Sequence, residues 1–224
     1  RDEERELLLA GIAHEIRNPL GGLDLFTGIL GEELQGRPEA AHVARIRTEL
    51  GTLSRVVEEF LDYARAKPLE LDEVPLAAVL EEVADLVRPL AAERAIRLPI
   101  DASGTVKADR EKLRRAVLNL ARNAVEASPS GEEVQLVAFA EGRGAVLEVR
   151  DRGPGLGKAR EHLFRPFYTT KEQGTGLGLA LVKKVAEAHG GSIALLDREA
   201  GGTVARLTVP GSLPETFGPK VARI

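Results

Sequence analysis

Four small groups of residues in this chain have the types and spacing to do chemistry, and the first is built on an imidazole. His14 is followed by Glu15, with Asn18 one helical turn on and Pro19 directly after it. Glu15 can accept a hydrogen bond from one ring nitrogen of His14 and fix its tautomer, leaving the other lone pair as a nucleophile. Asn18, at i+4, shares the face of His14 and can hold a water near it. The second group is Asn119 and Asn123, whose spacing of four sets two amide oxygens side by side on a helix face. Neutral oxygen donors suit Mg2+ bridging to phosphates, because Mg2+ keeps several waters and needs few protein ligands. The third is Asp151-Arg152-Gly153-Pro154-Gly155 after an apolar run. An aspartate there can accept from an exocyclic amine, while Gly153 and Gly155 let backbone approach a ligand closely. The fourth, Gly174-Thr175-Gly176-Leu177-Gly178-Leu179, runs into a helix and offers unpaired N–H groups and a positive dipole end to phosphate. Lys171, in Tyr168-Thr169-Thr170-Lys171, can swing onto a terminal phosphate from the flexible stretch before it.

Each group alone also has a plain structural reading. An exposed His-Glu pair is common decoration, two asparagines are usually solvated, and Asp-Gly sequences make turns. A lone Gly-x-Gly-x-Gly is weak, and here no acidic residue closes a βαβ unit after it in the Rossmann order.

The elements that must carry these groups begin with two heptad helices. In the first, to about Glu33, Leu9, Ile12, Ile16, Pro19, Leu23, Phe26 and Leu30 alternate in steps of three and four. That is an a/d seam, with His14 at position f on the opposite face. Pro19 inside this helix has no N–H for the carbonyl of Glu15, at a cost of ~3 kcal/mol, so a kink is expected just C-terminal to His14. Gln35-Gly36-Arg37-Pro38 stops the helix. A second helix to about Ala66 carries Val43, Ile46, Leu50, Leu53, Val57, Phe60 and Ala64 on its seam. Joined by a short loop, the two form an antiparallel hairpin that leaves much of each stripe uncovered. Pairing two hairpins into a four-helix bundle covers them, so a homodimer is expected.

Residues 1–66 thus read as the hairpin and 67–75 as a linker with a short strand at its centre. Within 76–210, helices are expected over Leu76–Arg94, Asp109–Ser128 (capped by Asp109) and Gly176–His189. Strands are expected over Ile96–Ile100, Thr105–Ala108, Glu133–Ala140, Gly144–Arg150, Ser192–Asp197 and Thr203–Val209. Helices that cannot all be crossovers point to an α+β sandwich, a mixed sheet under helices. Residues 211–224 lack periodicity and are expected to form a mobile tail.

Composition narrows the classes. At 43% apolar residues the chain can fill a core, and a net charge of −4 argues against nucleic acid or anionic membrane as main partner. Without cysteine, thiol catalysis and cysteine-ligated zinc are excluded, and His14, His42, His162 and His189 lack metal-ligand spacing. No run approaches the ~20 apolar residues of a bilayer span and no signal peptide is visible, so a cytoplasmic location is expected for this stretch. It opens inside a charged helical sequence and has no methionine, as a fragment of a longer soluble or membrane-anchored protein would.

Together and in this order, the groups resemble the transmitter core of two-component sensor histidine kinases, over about Leu7 to Pro210. His14–Pro19 is similar to the H box, Asn119–Ala124 to the N box and Asp151–Gly155 to the G1 box. Phe164-Arg165-Pro166-Phe167 is similar to the F box and Gly174–Leu179 to the G2 box. The lid pattern Phe-x-Pro-Phe-x-Thr-Thr-Lys most resembles the nitrogen-regulation kinases. The resemblance implies a dimerisation and phosphotransfer hairpin followed by a Bergerat-type ATP-binding domain. By it, His14 takes the γ-phosphoryl group of ATP, Glu15 is its base or orienter, and Asn18 positions water during dephosphorylation of the partner. Asn123, with Asn119 near, would hold Mg2+, and Asp151 would bind the adenine amine. Gly153, Gly155, Thr170, Lys171, Gly174, Thr175, Gly176, Leu177 and Gly178 would surround the nucleotide under a closing lid, with Thr203 a weaker contact. The implied partners are a second copy, a response regulator receiver domain, and a sensor region upstream of this stretch.

Two residues depart from the family pattern: Glu126 stands where a basic residue is common, and Arg165 where an acidic one is. Lys171 would then supply the positive charge at the phosphates. ATPases of the gyrase and Hsp90 type share the fold but activate water with a glutamate at the first N-box position. Asn119 cannot act as that base, so phosphoryl transfer to a delivered nucleophile fits better. A phosphatase-dominant protein and a silent receiver-binding scaffold remain as alternatives, the latter opposed by the intact His14, Asn123, Asp151 and glycine boxes.

Overall fold

A computed structural model describes residues 2–64, 68–157, 162–169, 171, 174–198 and 201–211, with side chains from residue 16 onward except 62–64. It divides into two compact units, Arg1–Lys67 with Phe167–Leu177, and Pro68–Pro166 with Gly178–Ile224.

The first unit contains the hairpin of α1 (Asp2–Glu33) and α2 (Ala40–Ala64). The helix runs unbroken through Pro19. Gly36, at φ +81°, turns the chain between the helices. The face that α1 gives its own partner is not the heptad seam. Leu20, only 8% exposed, is buried on α1, as are Val43 and Leu61 on α2. A Cβ added to Gly31 would touch Val43 Cγ1 at 3.6 Å, so a hydrogen there brings the helices close. Arg17 Nη2 also meets Glu58 Oε1 at 2.7 Å across the hairpin. The expected seam residues Ile16, Leu23, Phe26 and Leu30, with Ile46 and Leu53 of α2, lie exposed, Phe26 at 70%. α1 therefore carries two stripes, a narrow one for its own α2 and a broad apolar one that stands exposed among the described residues. Four glycines (Gly21, Gly22, Gly28 and Gly31) follow Pro19 within α1.

The second unit is a mixed sheet under three helices. β1 (Asp72–Pro75) pairs antiparallel with β3 (Thr105–Ala108) as a separate ribbon. The main sheet has the order β2-β4-β5-β7-β6, with β2 (Ile100–Ser103), β4 (Gln135–Glu141), β5 (Gly144–Arg150), β6 (Ser192–Asp197) and β7 (Thr203–Val209). Only β2 and β4 run parallel. The helices α3 (Leu76–Glu93), α4 (Arg110–Ala127) and α5 (Gly178–Ala188) lay their apolar stripes on one face. Leu80 and Val83 of α3, Leu113, Val117 and Leu120 of α4, and Val182 of α5 meet Leu136, Leu147 and Leu207 from the sheet. Each fully buried leucine or valine contributes roughly 1.5–3 kcal/mol, so this face fixes where α4 and α5 lie.

Three expected boundaries move, each for a local reason. The strand expected at Ile96–Ile100 begins instead at Ile100, because Ala95 takes φ +54° and Pro99 has no N–H to give a ladder. Only Arg97 bridges there, to Glu133. The linker strand sits at the end of that segment, on β1, not at its centre. α5 starts at Gly178, because Gly176 takes φ +69°, outside the helical region. Among the described residues no helix is long and apolar enough to cross a membrane. Residues 212–224, expected to be a mobile tail, lie outside the described residues.

Candidate functional site

Helix α4 begins where Asp109 Oδ1 accepts the N–H of Lys112 at 3.0 Å, as its sequence position predicts. Ten residues on, Asn119 and Asn123 stand half-buried on one side of the helix. The Asn119 Nδ2 donates to the Arg115 carbonyl at 3.0 Å, which fixes the amide and aims its oxygen away from its own helix. That oxygen faces the start of α5. A Cβ added to Gly178 would lie 2.9 Å from Asn119 Oδ1 and 3.9 Å from Asn123 Nδ2, so only a glycine lets the two helices meet there. The last glycine of the fourth sequence group is thus brought to the asparagine pair.

Asp151 leaves the end of β5 and is 7% exposed. Its Oδ1 accepts the N–H of Gly153 at 2.8 Å and of Thr203 at 2.9 Å. Its own N–H donates to the Thr203 carbonyl at 2.9 Å, and Arg198 Nη1 donates to its carbonyl at 2.9 Å. Burial raises the Asp151 carboxyl above its ordinary value, with the N–H groups of Gly153 and Thr203 and the Arg198 charge pulling partly back. One carboxylate oxygen is therefore held by two backbone donors, and the other is left to accept from a ligand. Gly155 stands beside Asp197 and Gly202 on the same side, the Asp197 Oδ1 3.3 Å from where its Cβ would be. Sequence reasoning took Asp151, Gly153, Gly155 and Thr203, and these do come together. It missed Arg198 and Ser128, whose hydroxyl donates to the Ala124 carbonyl at 2.8 Å and accepts the Arg152 N–H at 3.4 Å. No spacing pattern marks either; a hydroxyl just past the N-box helix was the only available hint.

The remaining candidates belong to the first unit. Asn18 is exposed on α1. His14 lies within the span of α1, but its side chain and that of Glu15 lie outside the described residues, as does Thr170. Lys171 is exposed, with its N–H donating to Thr169 Oγ1 at 3.1 Å. Gly174 donates its N–H to the Lys171 carbonyl at 3.2 Å, and Phe167 donates to the Gly176 carbonyl at 3.0 Å, closing a compact loop. In this unit the Thr175 hydroxyl donates to the Glu59 carboxylate and accepts the Leu177 N–H.

The donor set suits a metal that arrives with phosphate. Among the described residues no group of three histidine, cysteine or acidic side chains could hold a metal ion unaided. The Asn119 oxygen beside a helix start, with the Asn123 amide next to it, fits Mg2+ that takes its other ligands from phosphates and water.

Residues 4–68 match the family model described as the His Kinase A (phospho-acceptor) domain. Residues 108–213 match that of the histidine kinase-, DNA gyrase B- and HSP90-like ATPases. The chain belongs to the sensor histidine kinases. It is 35% identical to the sensor histidine kinase ZraS of Escherichia coli K12 over 208 residues, 91% of this chain and 45% of that protein. The chain thus spans less than half of that relative. Full-length ShkA, solved in complex with AMPPNP, superimposes with a TM-score of 0.80 at 30% identity, over 94% of this chain and 47% of ShkA. The catalytic domain of the histidine kinase ThkA aligns at 30% identity and a TM-score of 0.59, over 63% of this chain and 96% of that one. ThkA in complex with the response regulator TrrA aligns at 28% identity and a TM-score of 0.66, over 95% of this chain and 64% of that one. The helical phosphoacceptor region followed by a sandwich of the histidine kinase ATPase type is the architecture of this sensor histidine kinase.

Proposed function

We propose that this kinase core moves the γ-phosphoryl group of ATP onto His14 and then onto an aspartate of a receiver domain. The observation that carries this reading is Asp151, a buried carboxylate with one oxygen fixed by Gly153 and Thr203 and the other available to an adenine amine. Asn123 and Asn119 are the residues to hold Mg2+, which would screen the charge of the phosphates when bound. Gly153, Gly155, Gly174, Thr175, Gly176, Leu177 and Gly178 supply backbone and hydroxyl donors around the nucleotide, with Thr170 and Lys171 at its phosphate end and Thr203 behind Asp151. A ring nitrogen of His14 attacks phosphorus as the bond to the leaving diphosphate breaks, and Glu15 holds the other ring nitrogen. Division of labour follows the sequence: residues 1–66 for dimerisation and phosphotransfer, 67–75 as linker and 76–210 for ATP.

Partner choice rests on the same logic. The exposed apolar stripe through Leu23, Phe26 and Ile46 favours a homodimer. The ThkA–TrrA complex makes a receiver domain the natural acceptor. A reaction with ATP and a receiver domain supports a cytoplasmic location for this core, with sensing assigned to a region upstream, and its lid sequence supports kinship with the nitrogen-regulation kinases. Asn18, exposed on the helix face of His14, favours an added ability to dephosphorylate the receiver.

Incubating the chain with γ-labelled ATP and Mg2+ tests the reading. Acid-labile, alkali-stable label on the protein, absent from His14→Gln, is the expected result. Release of free phosphate without labelled protein would show an ATPase instead, and failure to bind nucleotide would leave a scaffold.

A further inference from the structure

The segment that follows the hairpin enters the second unit at Pro68, and there it is tied to the first turn of α4. The Glu70 N–H donates to Asp109 Oδ2 at 3.2 Å. Lys112 Nζ donates to the Pro68 carbonyl at 2.9 Å and lies 3.3 Å from the same Asp109 oxygen. β1 extends the attachment, since Asp72 pairs with Ala108, the residue before Asp109. Asp109 Oδ1, meanwhile, caps α4 through Lys112 N–H.

On its other side Asp109 reaches α5. Its backbone N–H donates to His189 Nε2 at 3.0 Å, and His189 Nδ1 lies 2.8 Å from the Val185 carbonyl. A neutral ring protonated on Nδ1 satisfies both bonds. One residue therefore touches the linker, the start of the N-box helix and the end of α5. The start of α5 meets the middle of α4 where Gly178 abuts Asn119. Capping needs only one carboxylate oxygen, and serine or asparagine would serve as well. The second oxygen, buried and matched to a backbone N–H thirty-nine residues away, has no part in capping.

We propose that Asp109 and Lys112 are positioning residues for the kinase reaction, fastening the interdomain linker to the N-box helix so that linker displacement reaches Asn119, Asn123 and α5. The inference rests on the kinase reading above. Neither residue touches nucleotide; both act through the helix that carries the asparagines.

The test uses the whole chain and two variants that spare the cap. Lys112→Met keeps the aliphatic stem and the capping N–H but removes the bond to Pro68. Asp109→Asn keeps a capping oxygen but weakens the hold on Glu70 and Lys112. Two quantities are read: affinity for a fluorescent ATP analogue, and the rate of His14 labelling at saturating ATP. Binding should stay within about twofold while labelling falls about tenfold, the scale of one lost hydrogen bond to a charged group. Lys112→Arg, which can still reach a carbonyl, should restore most of the rate. Unchanged labelling in both variants overturns the proposal, as does a parallel loss of nucleotide binding, which would mark mere damage to α4. A wild-type chain that neither binds nor labels would overturn the kinase reading and this proposal with it, a result distinct from variants that match an active wild type.

Discussion

The two units of this chain handle apolar surface in opposite ways. In the second, Leu80, Leu113, Leu136, Leu147 and Leu207 are fully buried between helices and sheet. In the hairpin, Leu23, Phe26, Ile29 and Leu30 stand in solvent on one helix. The difference separates a body that is complete by itself from one that is half of something. A two-layer sandwich covers its helix stripes with a sheet, whereas a two-helix hairpin has no third layer to offer.

That contrast can be broken most sharply in the core. Leu147→Ala, in the middle of β5, should destabilise the second unit by roughly 2–5 kcal/mol in denaturant melts. A loss under ~1 kcal/mol would mean that this unit is no better packed than the hairpin. Next comes the exposed stripe. Phe26→Glu should leave that unit's melt unmoved and shift sedimentation of the chain from dimer toward monomer. A monomeric wild type at micromolar concentration would instead show that the stripe serves some other surface.

The smallest effect is a dependence on pH confined to the second unit. Burial pushes the His189 imidazole below its ordinary value, and the Val185 carbonyl and Asp109 carboxylate only partly restore it. The unfolded chain therefore takes up the proton first as pH falls, so stability present above about pH 6.5 is lost below it. Asp109 adds a second loss at lower pH. Burial alone would raise its carboxyl, but the N–H groups of Lys112 and Glu70 and the Lys112 ammonium bring it below the usual range. Its contribution disappears as pH falls through that depressed value. Melts from mildly alkaline to mildly acid pH should decline more steeply in the wild type than in His189→Gln, and parallel curves would show that the buried ring does not titrate with unfolding.

Much of this was legible in the sequence where the cause is local. Asp109 reads as a cap because a carboxylate before an apolar-periodic run has a donor three residues on. Asn119 and Asn123 share a face by helix geometry alone. The glycines near Asp151 and Gly178 announce close approaches before their neighbours are known. Long-range causes were not legible. The second oxygen of Asp109 finds Glu70, and Arg198 finds the Asp151 carbonyl, through contacts that no spacing encodes. Leu20 was overlooked because the broad stripe beside it is the louder periodic signal, while the narrow face that closes the hairpin relies on Gly31 having no side chain. Pro99 lacks the N–H to extend the ladder, while its carbonyl still accepts the Leu136 N–H, a partner far along the chain.

The glycines of α1 have one more consequence. Pro19, Gly21 and Gly22 follow His14 within about two turns, and Gly28 and Gly31 come after them. Each glycine weakens a helix by about 1 kcal/mol relative to alanine, and the proline removes a backbone bond. Such a segment is a compliant rod rather than a stiff one. Its straightness is borrowed from whatever lies along its outer stripe, so a push delivered along the helix would be felt first as bending just beyond His14.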